Sequence, residues 1–333
     1  MFDIWNRRYT GSKYKLSKWI HDLIIENCHG DSFCDIFAGT GVISYTMIND
    51  MKNIAINDFL YSNEIIYRAF FSNEKYDTNK IEHYKLIFKN IDSDDIEENY
   101  VSVNFGNKFF SVNDAKKIGY IREYIEENSL LFNHREKAIL IASLLYSADK
   151  SANTVGHYDA YIKGHDIPDR FQFDLIYPYS TKSDIHIYRE DANELAKKIN
   201  ADIVYIDPPY NSRQYSRFYH VLENIACWKK PKLFGIALKP APENMSEYCK
   251  SSAKIFFAEL INSLQCRYIV VSYNNTYNSK SGSSKNKMTL SDIESILSAR
   301  GEVKKFEKKH NFFNAGKTEF DDHKELIFIV EVK

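Results

Sequence analysis

The chain has 333 residues, 44% hydrophobic and 27% charged, which is the composition of a globular protein and not of a disordered or fibrous one. With 44 Lys and Arg against 45 Asp and Glu the formal net charge is −1, so any basic surface must be local. No run of about 18 apolar residues occurs, Met1–Arg8 lacks a secretion signal's apolar core, and the five cysteines form no CxxC pair, which argues against a membrane span, a disulfide scaffold and a zinc site, and for a cytoplasmic protein.

Tyr9-Thr10-Gly11-Ser12-Lys13 comes first, ahead of an amphipathic stretch, Lys15–Glu26, that reads as helix. Gly11 permits a tight turn, Ser12 can cap the helix, and Lys13 offers a cation beside its start. A capped first helix alone accounts for this pattern.

Ser32–Ile36 reads as a strand that continues through Asp35-Ile36-Phe37-Ala38-Gly39-Thr40-Gly41 into a helix at Val42–Met47. A glycine loop is informative in this strand–turn–helix context. Gly39 and Gly41 let backbone approach a ligand closely, and amides at the helix start offer donors. The turn is neither a Walker loop nor a complete G-x-G-x-x-G. It therefore suits a nucleoside-type ligand without phosphates better than a dinucleotide, and a purely structural turn fits equally well. Asn53–Ile56 gives a second strand ending in Asn57-Asp58. An acid about 20 residues beyond the glycine turn is where a ribose diol is gripped, although a surface-turn aspartate is the plain alternative.

Between Leu60 and Thr181 the alternation of strand and helix stops. Helices are expected at Ser62–Asn73, Asn79–Asn90, Ile118–Asn128 and His134–Ala148, with an acidic turn at Asp92–Asn99. Asp149–Ser180 follows without a clear period. A doubly wound sheet needs far fewer residues between its second and third strands, so about 120 residues here read as an insertion. Its tail, with Asn153, His157, Tyr158, Tyr161, Lys163, His165 and Arg170, offers groups for bases and phosphates or simply for loop contacts.

Asp184–Tyr188 resumes the sheet and ends in Arg189-Glu190-Asp191, before a helix at Ala192–Ile199. Ala201–Ile206 is an apolar, β-branched run that reads as a buried parallel strand. It delivers Asp207-Pro208-Pro209-Tyr210 to the sheet edge where ligands sit in open α/β folds. The prolines end the ladder and stiffen the turn. The carboxylate and carbonyls of the turn are acceptors beside a flat ring, which suits a planar base carrying an exocyclic amine. Asp58, Asp191 and Asp207 thus reach one edge from successive strands.

Arg213 and Arg217 interleave with Tyr215, Phe218 and Tyr219, a mixture that suits phosphate contact and stacking on unpaired bases, or an aromatic core helix. Val221–Trp228 reads as helix, Lys229–Asn244 as irregular, Ser251–Leu264 as helix and Arg267–Ser272 as strand. The Tyr273–Lys287 loop carries Lys280, Lys285 and Lys287 and no acid, consistent with phosphate contact or with a solvated linker. A helix at Leu290–Ala299 and strands at Glu302–Glu307 and Glu325–Val332, paired as a closing hairpin, complete the chain.

The Tyr9–Lys13 turn, the Asp35–Gly41 turn, Asp58, the long insert and Asp207-Pro208-Pro209-Tyr210, in this order, resemble the D12 class (α group) of S-adenosylmethionine-dependent DNA adenine methyltransferases. The resemblance implies a Rossmann-like, doubly wound α/β methyltransferase sheet formed by residues 1–60 and 182–333, with residues 61–181 as an inserted, mainly helical target-recognition domain. It implies S-adenosylmethionine as cofactor, held by Tyr9, Lys13, Asp35, Phe37, Gly39, Gly41, Asp58, Asp191 and Asp207, and no metal. Asp207, Pro208, Pro209 and Tyr210 would be catalytic: Asp207 and the Pro208 carbonyl accept from the target amine, and Tyr210 stacks on a base flipped out of duplex DNA. Arg213, Tyr215, Arg217, Lys280, Lys285 and Lys287 are the expected DNA contacts. A monomer is expected, acting alongside a cognate restriction endonuclease. An RNA methyltransferase acting on a base amine, or a non-catalytic nucleic-acid-binding protein of the same fold, remain the alternatives.

Overall fold

The computed structural model describes residues 1–275, 285–309 and 323–333. They fall into two compact units. A sheet unit comprises Lys13–Phe59, Lys182–Gln214 and Asn244–Lys333, and a helical unit comprises Met1–Ser12, Leu60–Thr181 and Tyr215–Glu243. Among the described residues no helix is long and apolar enough to cross a membrane.

The sheet unit is the doubly wound α/β layer expected. Its strands are β1 (Ser32–Asp35), β2 (Asn53–Asn57), β3 (Asp184–Tyr188), β4 (Ile203–Ile206), β5 (Tyr268–Asn274), β6 (Val303–Lys309) and β7 (Lys324–Glu331). They lie in the order β3-β2-β1-β4-β5-β7-β6, and β1 to β5 are parallel. Every residue of β4 and β5 is buried, because helices cover both faces of the central strands. The edge strand β6 is mostly exposed and carries Lys304, Lys305, Glu307, Lys308 and Lys309, charges that discourage pairing with another chain. The strand order reverses between the neighbours β1 and β4, so the loops leaving their carboxyl ends diverge and open a crevice.

The closing pair of strands forms as expected, β6 antiparallel to β7. β7 also lies antiparallel to β5, between β5 and β6, with Glu325 opposite Asn274. Its apolar Leu326–Val330 run is buried accordingly. The first helix starts differently from the expectation. A 3-10 turn at Tyr14–Leu16 leads into a helix at Ser17–Asn27, so Ser12 is not its cap.

In the helical unit, His134–Ser151 is buried almost all round and forms the centre. Val112–Glu127 begins earlier than its apolar period suggests, because the Ser111 side chain accepts from the Asp114 amide and caps it. Tyr100–Phe105, hidden behind the acidic turn in the sequence, is started by an Asn99 capping box. Two segments expected in the sheet domain, Met1–Ser12 and Tyr215–Glu243, cluster with this unit. Side chains explain the second. The buried Arg122 guanidinium donates to the carbonyls of Ile225 and Ala226, and Glu223 accepts from the amides of Tyr61 and Ser62.

Candidate active site

The glycine turn is fixed from beneath by Asn57 at the end of β2. This buried side chain donates to the carbonyls of Ile36 (3.0 Å) and Glu190 (3.1 Å) and accepts from the Glu190 amide (2.9 Å), tying the ends of β1, β2 and β3 together. Ala38 donates to the Asn57 carbonyl, and Gly39 donates to Asp58 Oδ2 at 3.0 Å. Gly39 (φ 54°) and Gly41 (φ 75°) occupy the left-handed region, which side chains with a Cβ rarely adopt, so glycine is required at this bend. Phe37 packs edge-on against Tyr248, with ring centroids 5.1 Å apart.

Asp35 lies under the turn, 1% exposed, and accepts from Ser44 Oγ at 2.8 Å while its other oxygen has no hydrogen-bond partner. Burial pushes its carboxyl up to about 7 against the pull of the Ser44 hydrogen bond, and the neighbouring carboxylates Asp207 and Asp58 add to the rise. Asp191 is the N-cap of the helix Ala192–Ala196 and accepts from the amides of Asn193 and Glu194. It also lines a shallow cavity with Phe256 and Glu259.

The Asp207–Tyr210 turn at the end of β4 closes onto a compact set of polar groups. Lys13, 6% exposed, sends its ammonium to Asp207 Oδ2 (3.0 Å), Glu325 Oε1 (3.1 Å) and the Tyr210 hydroxyl (2.7 Å). The Tyr210 hydroxyl donates to Asp207 Oδ1 and also lies 3.2 Å from Glu325 Oε1, which accepts from Ser272 Oγ at 2.9 Å. Burial raises the Asp207 carboxyl, Lys13 lowers it and Glu325 raises it again, leaving it at about 6. Burial alone would lower the Lys13 pKa, but the two carboxylates outweigh it and raise it. The Tyr210 ring meets Tyr273 at 4.6 Å and 62°, and its carbonyl accepts from the Lys287 amide at 2.8 Å. Two prolines, a ring contact and a backbone bond therefore hold this turn rigid.

Lys13, Asp207 and Tyr210 are thus brought together as their motifs imply. The sequence reading missed Glu325 and Ser272. Their one signal is an acid opening the apolar Leu326–Val330 run and a serine inside another such run, and neither says which strands are neighbours.

Of the expected DNA contacts, Lys285 is exposed and Lys287 half-buried, and Lys280 lies outside the described residues. The Arg213 amide donates to Asn211 Oδ1 and its carbonyl accepts from Cys249 Sγ. In the helical unit, Arg217 donates to the Pro240 carbonyl at 2.6 Å, and the Tyr215 hydroxyl donates to the Thr10 carbonyl at 3.1 Å. Tyr9 stacks on Tyr219 (4.6 Å, 9°) and Tyr215 (5.2 Å, 24°). Gly11 has φ 82°, and a Cβ there would lie 3.1 Å from the Tyr215 hydroxyl, so the turn after this stack also requires glycine. In the polar tail, Tyr158 is buried with its hydroxyl on Asp149, and Asn153 donates to two carbonyls, so both serve the unit's own packing.

Comparison with known proteins matches residues 9–288 to the model of the D12 class N6 adenine-specific DNA methyltransferases. The chain is 31% identical over 335 residues to the Type II methyltransferase M.NlaIII of Neisseria lactamica, covering 95% of both proteins. It is 29% identical over 340 residues to the Type II methyltransferase M.CviAII of Paramecium bursaria Chlorella virus 1, covering 98% of each. It is also 32% identical to the Type II methyltransferase M.FokI of Planomicrobium okeanokoites, with 97% of this chain spanning 52% of that protein. The matched span runs through the Lys13 turn, the glycine turn and the Asp207–Tyr210 turn, and on this evidence the chain belongs to the D12 class of N6 adenine-specific DNA methyltransferases.

Proposed function

We propose that the chain transfers a methyl group from S-adenosylmethionine to the N6 amine of adenine at a specific site in duplex DNA, as the modification enzyme of a restriction–modification pair. The observation that carries this reading is the rigid Asp207-Pro208-Pro209-Tyr210 turn at the carboxyl end of β4, beside the glycine turn of β1, where the strand order reverses. Family membership supports it, as do the relatives, which are named Type II methyltransferases.

The residues around the glycine turn fit the cofactor. Gly39 and Gly41 leave bare backbone at the bend, and the Asp58 carboxylate stands beside it, accepting from the Gly39 amide. In this reading Phe37, Gly39, Gly41 and Asp58 hold the nucleoside part, Lys13 and Asp207 serve the methionine end, and Asp191 serves the adenine end. Asp35 acts from below by fixing the turn. When bound, the cofactor supplies a methyl already activated on a sulfonium.

The protein's share is positioning and acceptance. Asp207 and the Pro208 carbonyl accept from the two N–H groups of the target amine, localising the nitrogen lone pair and orienting it. No strong base is needed before transfer. The amine then releases one proton, which an Asp207 carboxylate titrating at about 6 is suited to take. Tyr210 stacks on the target base, which has to leave the duplex to reach this turn. Arg213, Lys285 and Lys287 meet phosphates, and residues 61–181 contribute to target recognition.

The test is incubation with methyl-tritiated S-adenosylmethionine and unmethylated duplex DNA, followed by nucleoside separation. Label in N6-methyladenine, with mapping of the modified positions, supports the reading. Label in RNA alone, or none with either nucleic acid, would sink it.

A further inference from the structure

Glu325 enters the site from β7 and belongs to none of the motifs that mark the family. It is 3% exposed, and its Oε1 meets Lys13 Nζ (3.1 Å), the Tyr210 hydroxyl (3.2 Å) and Ser272 Oγ (2.9 Å). A carboxylate so deep inside a sheet is costly unless it is paired, and besides Ser272 its partners are the two groups that also hold Asp207.

The proton inventory gives that arrangement a meaning. Both oxygens of Asp207 are engaged, Oδ1 by the Tyr210 hydroxyl and Oδ2 by Lys13. The Tyr210 hydroxyl has one proton and faces two carboxylates, so it can serve only one at a time. Rotation about its C–O bond switches that hydrogen bond from Asp207 to Glu325. The Lys13 ammonium already stands between the same two carboxylates at nearly equal distances.

We propose that Glu325 is a positioning residue of the transfer site, drawing the Tyr210 proton and the Lys13 charge away from Asp207 so that Asp207 can accept from the target amine. This rests on the adenine-amine reading above. The groups facing Asp207 are Lys13 from the N-terminal turn, Tyr205 from its own strand, Tyr210 from its own turn and Glu325 from β7, with Asp35 of β1 farther off. Glu325 is the one whose loss leaves Lys13 wholly on Asp207 and removes a like charge beside it. Both effects stabilise the Asp207 anion and make it a poorer acceptor for a new partner.

The experiment compares Glu325→Gln, Glu325→Asp and the control Glu331→Gln, which removes another β7 carboxylate. The Asp207 carboxyl is titrated by carbon-13 NMR in the full chain, assigned against Asp207→Asn, and methyl transfer to adenine is followed in single turnovers across pH. In Glu325→Gln the Asp207 midpoint falls by roughly one pH unit, and the acid limb of the rate moves down with it. The neutral-pH rate falls on the order of tenfold while the Kd for S-adenosylmethionine changes less than about twofold. Glu325→Asp recovers part of the rate, and Glu331→Gln leaves both readouts in place. An unmoved Asp207 titration in Glu325→Gln overturns the role of Glu325 alone. Absence of label on adenine with the unaltered chain overturns the reaction reading, and the amine as Asp207's guest with it.

Discussion

Lys13 Nζ stands 3.0 Å from Asp207 Oδ2, joining the first motif of the chain to the turn after β4. The ammonium is what lets two carboxylates, the half-buried Asp207 and the buried Glu325, share one site. Lys13→Met keeps the stem's bulk and removes the charge. Breaking a buried pair in this way costs about 3–5 kcal/mol. Because Lys13 lowers the Asp207 pKa, its loss raises that value, and the acid limb of methyl transfer moves to higher pH. Urea unfolding and a pH–rate profile read the two effects separately.

Asp207 must be an anion to accept from one N–H of the target amine while the Pro208 carbonyl accepts from the other. With its carboxyl at about 6, activity is present above that pH and falls roughly tenfold per unit below it. Asp207→Asn preserves the shape, loses the acid limb, and lowers the rate on the order of 10²–10³-fold. Equilibrium dialysis with S-adenosylmethionine is expected to show retained binding.

Asp35 carries a pH-dependent cost of its own. Its folded-state value of about 7 lies above the ordinary 3.8, so the folded chain holds this proton more tightly than the unfolded one. The penalty is absent below the ordinary value, grows as pH rises between the two, and is complete above about 7. Asp35→Asn therefore stabilises the protein more at pH 8 than at pH 4, by up to about 4 kcal/mol. Denaturant midpoints at the two pH values check the sign.

Asn57 satisfies three backbone groups at the ends of β1 and β3. Asn57→Ala is expected to cost about 3 kcal/mol. Thermal unfolding measures that loss. Because the glycine turn rests on the same latch, the affinity for S-adenosylmethionine falls too, which calorimetric titration detects.

Arg217 and the loop lysines are expected to behave differently on DNA. Lys285→Ala and Lys287→Ala each reduce the salt slope of DNA affinity by about one. Arg217→Ala, whose guanidinium holds the Pro240 carbonyl, lowers stability by about 1 kcal/mol and leaves the slope in place. Binding titrations at several salt concentrations separate the two classes.

What the sequence makes legible is what depends on neighbours in the chain. β1, the glycine turn and the helix Val42–Met47 follow from a short apolar run, two glycines and a second apolar run. The Asp207–Tyr210 turn follows from β4 in the same way. Contacts set by long-range register are not legible locally. Nothing around Glu325 says that β7 slides between β5 and β6, and nothing around Arg122 says that it reaches the carbonyls of Ile225 and Ala226. Asp191 is legible as a strand-ending acid, and its capping of the helix Ala192–Ala196 is what the structure adds.

The internal position of β7 also bears on how the chain is made. Lys13 and Glu325 are roughly 300 residues apart, so their ion pair cannot form until the chain has grown through β7. Until Lys324–Glu331 has left the ribosome, β5 has an open edge and the Asp207 turn lacks its second acid. Premature termination between β5 and β7 would thus yield polypeptides that carry the Asp207–Tyr210 motif but not the completed ion cluster, and that expose an unpaired strand for proteolytic clearance.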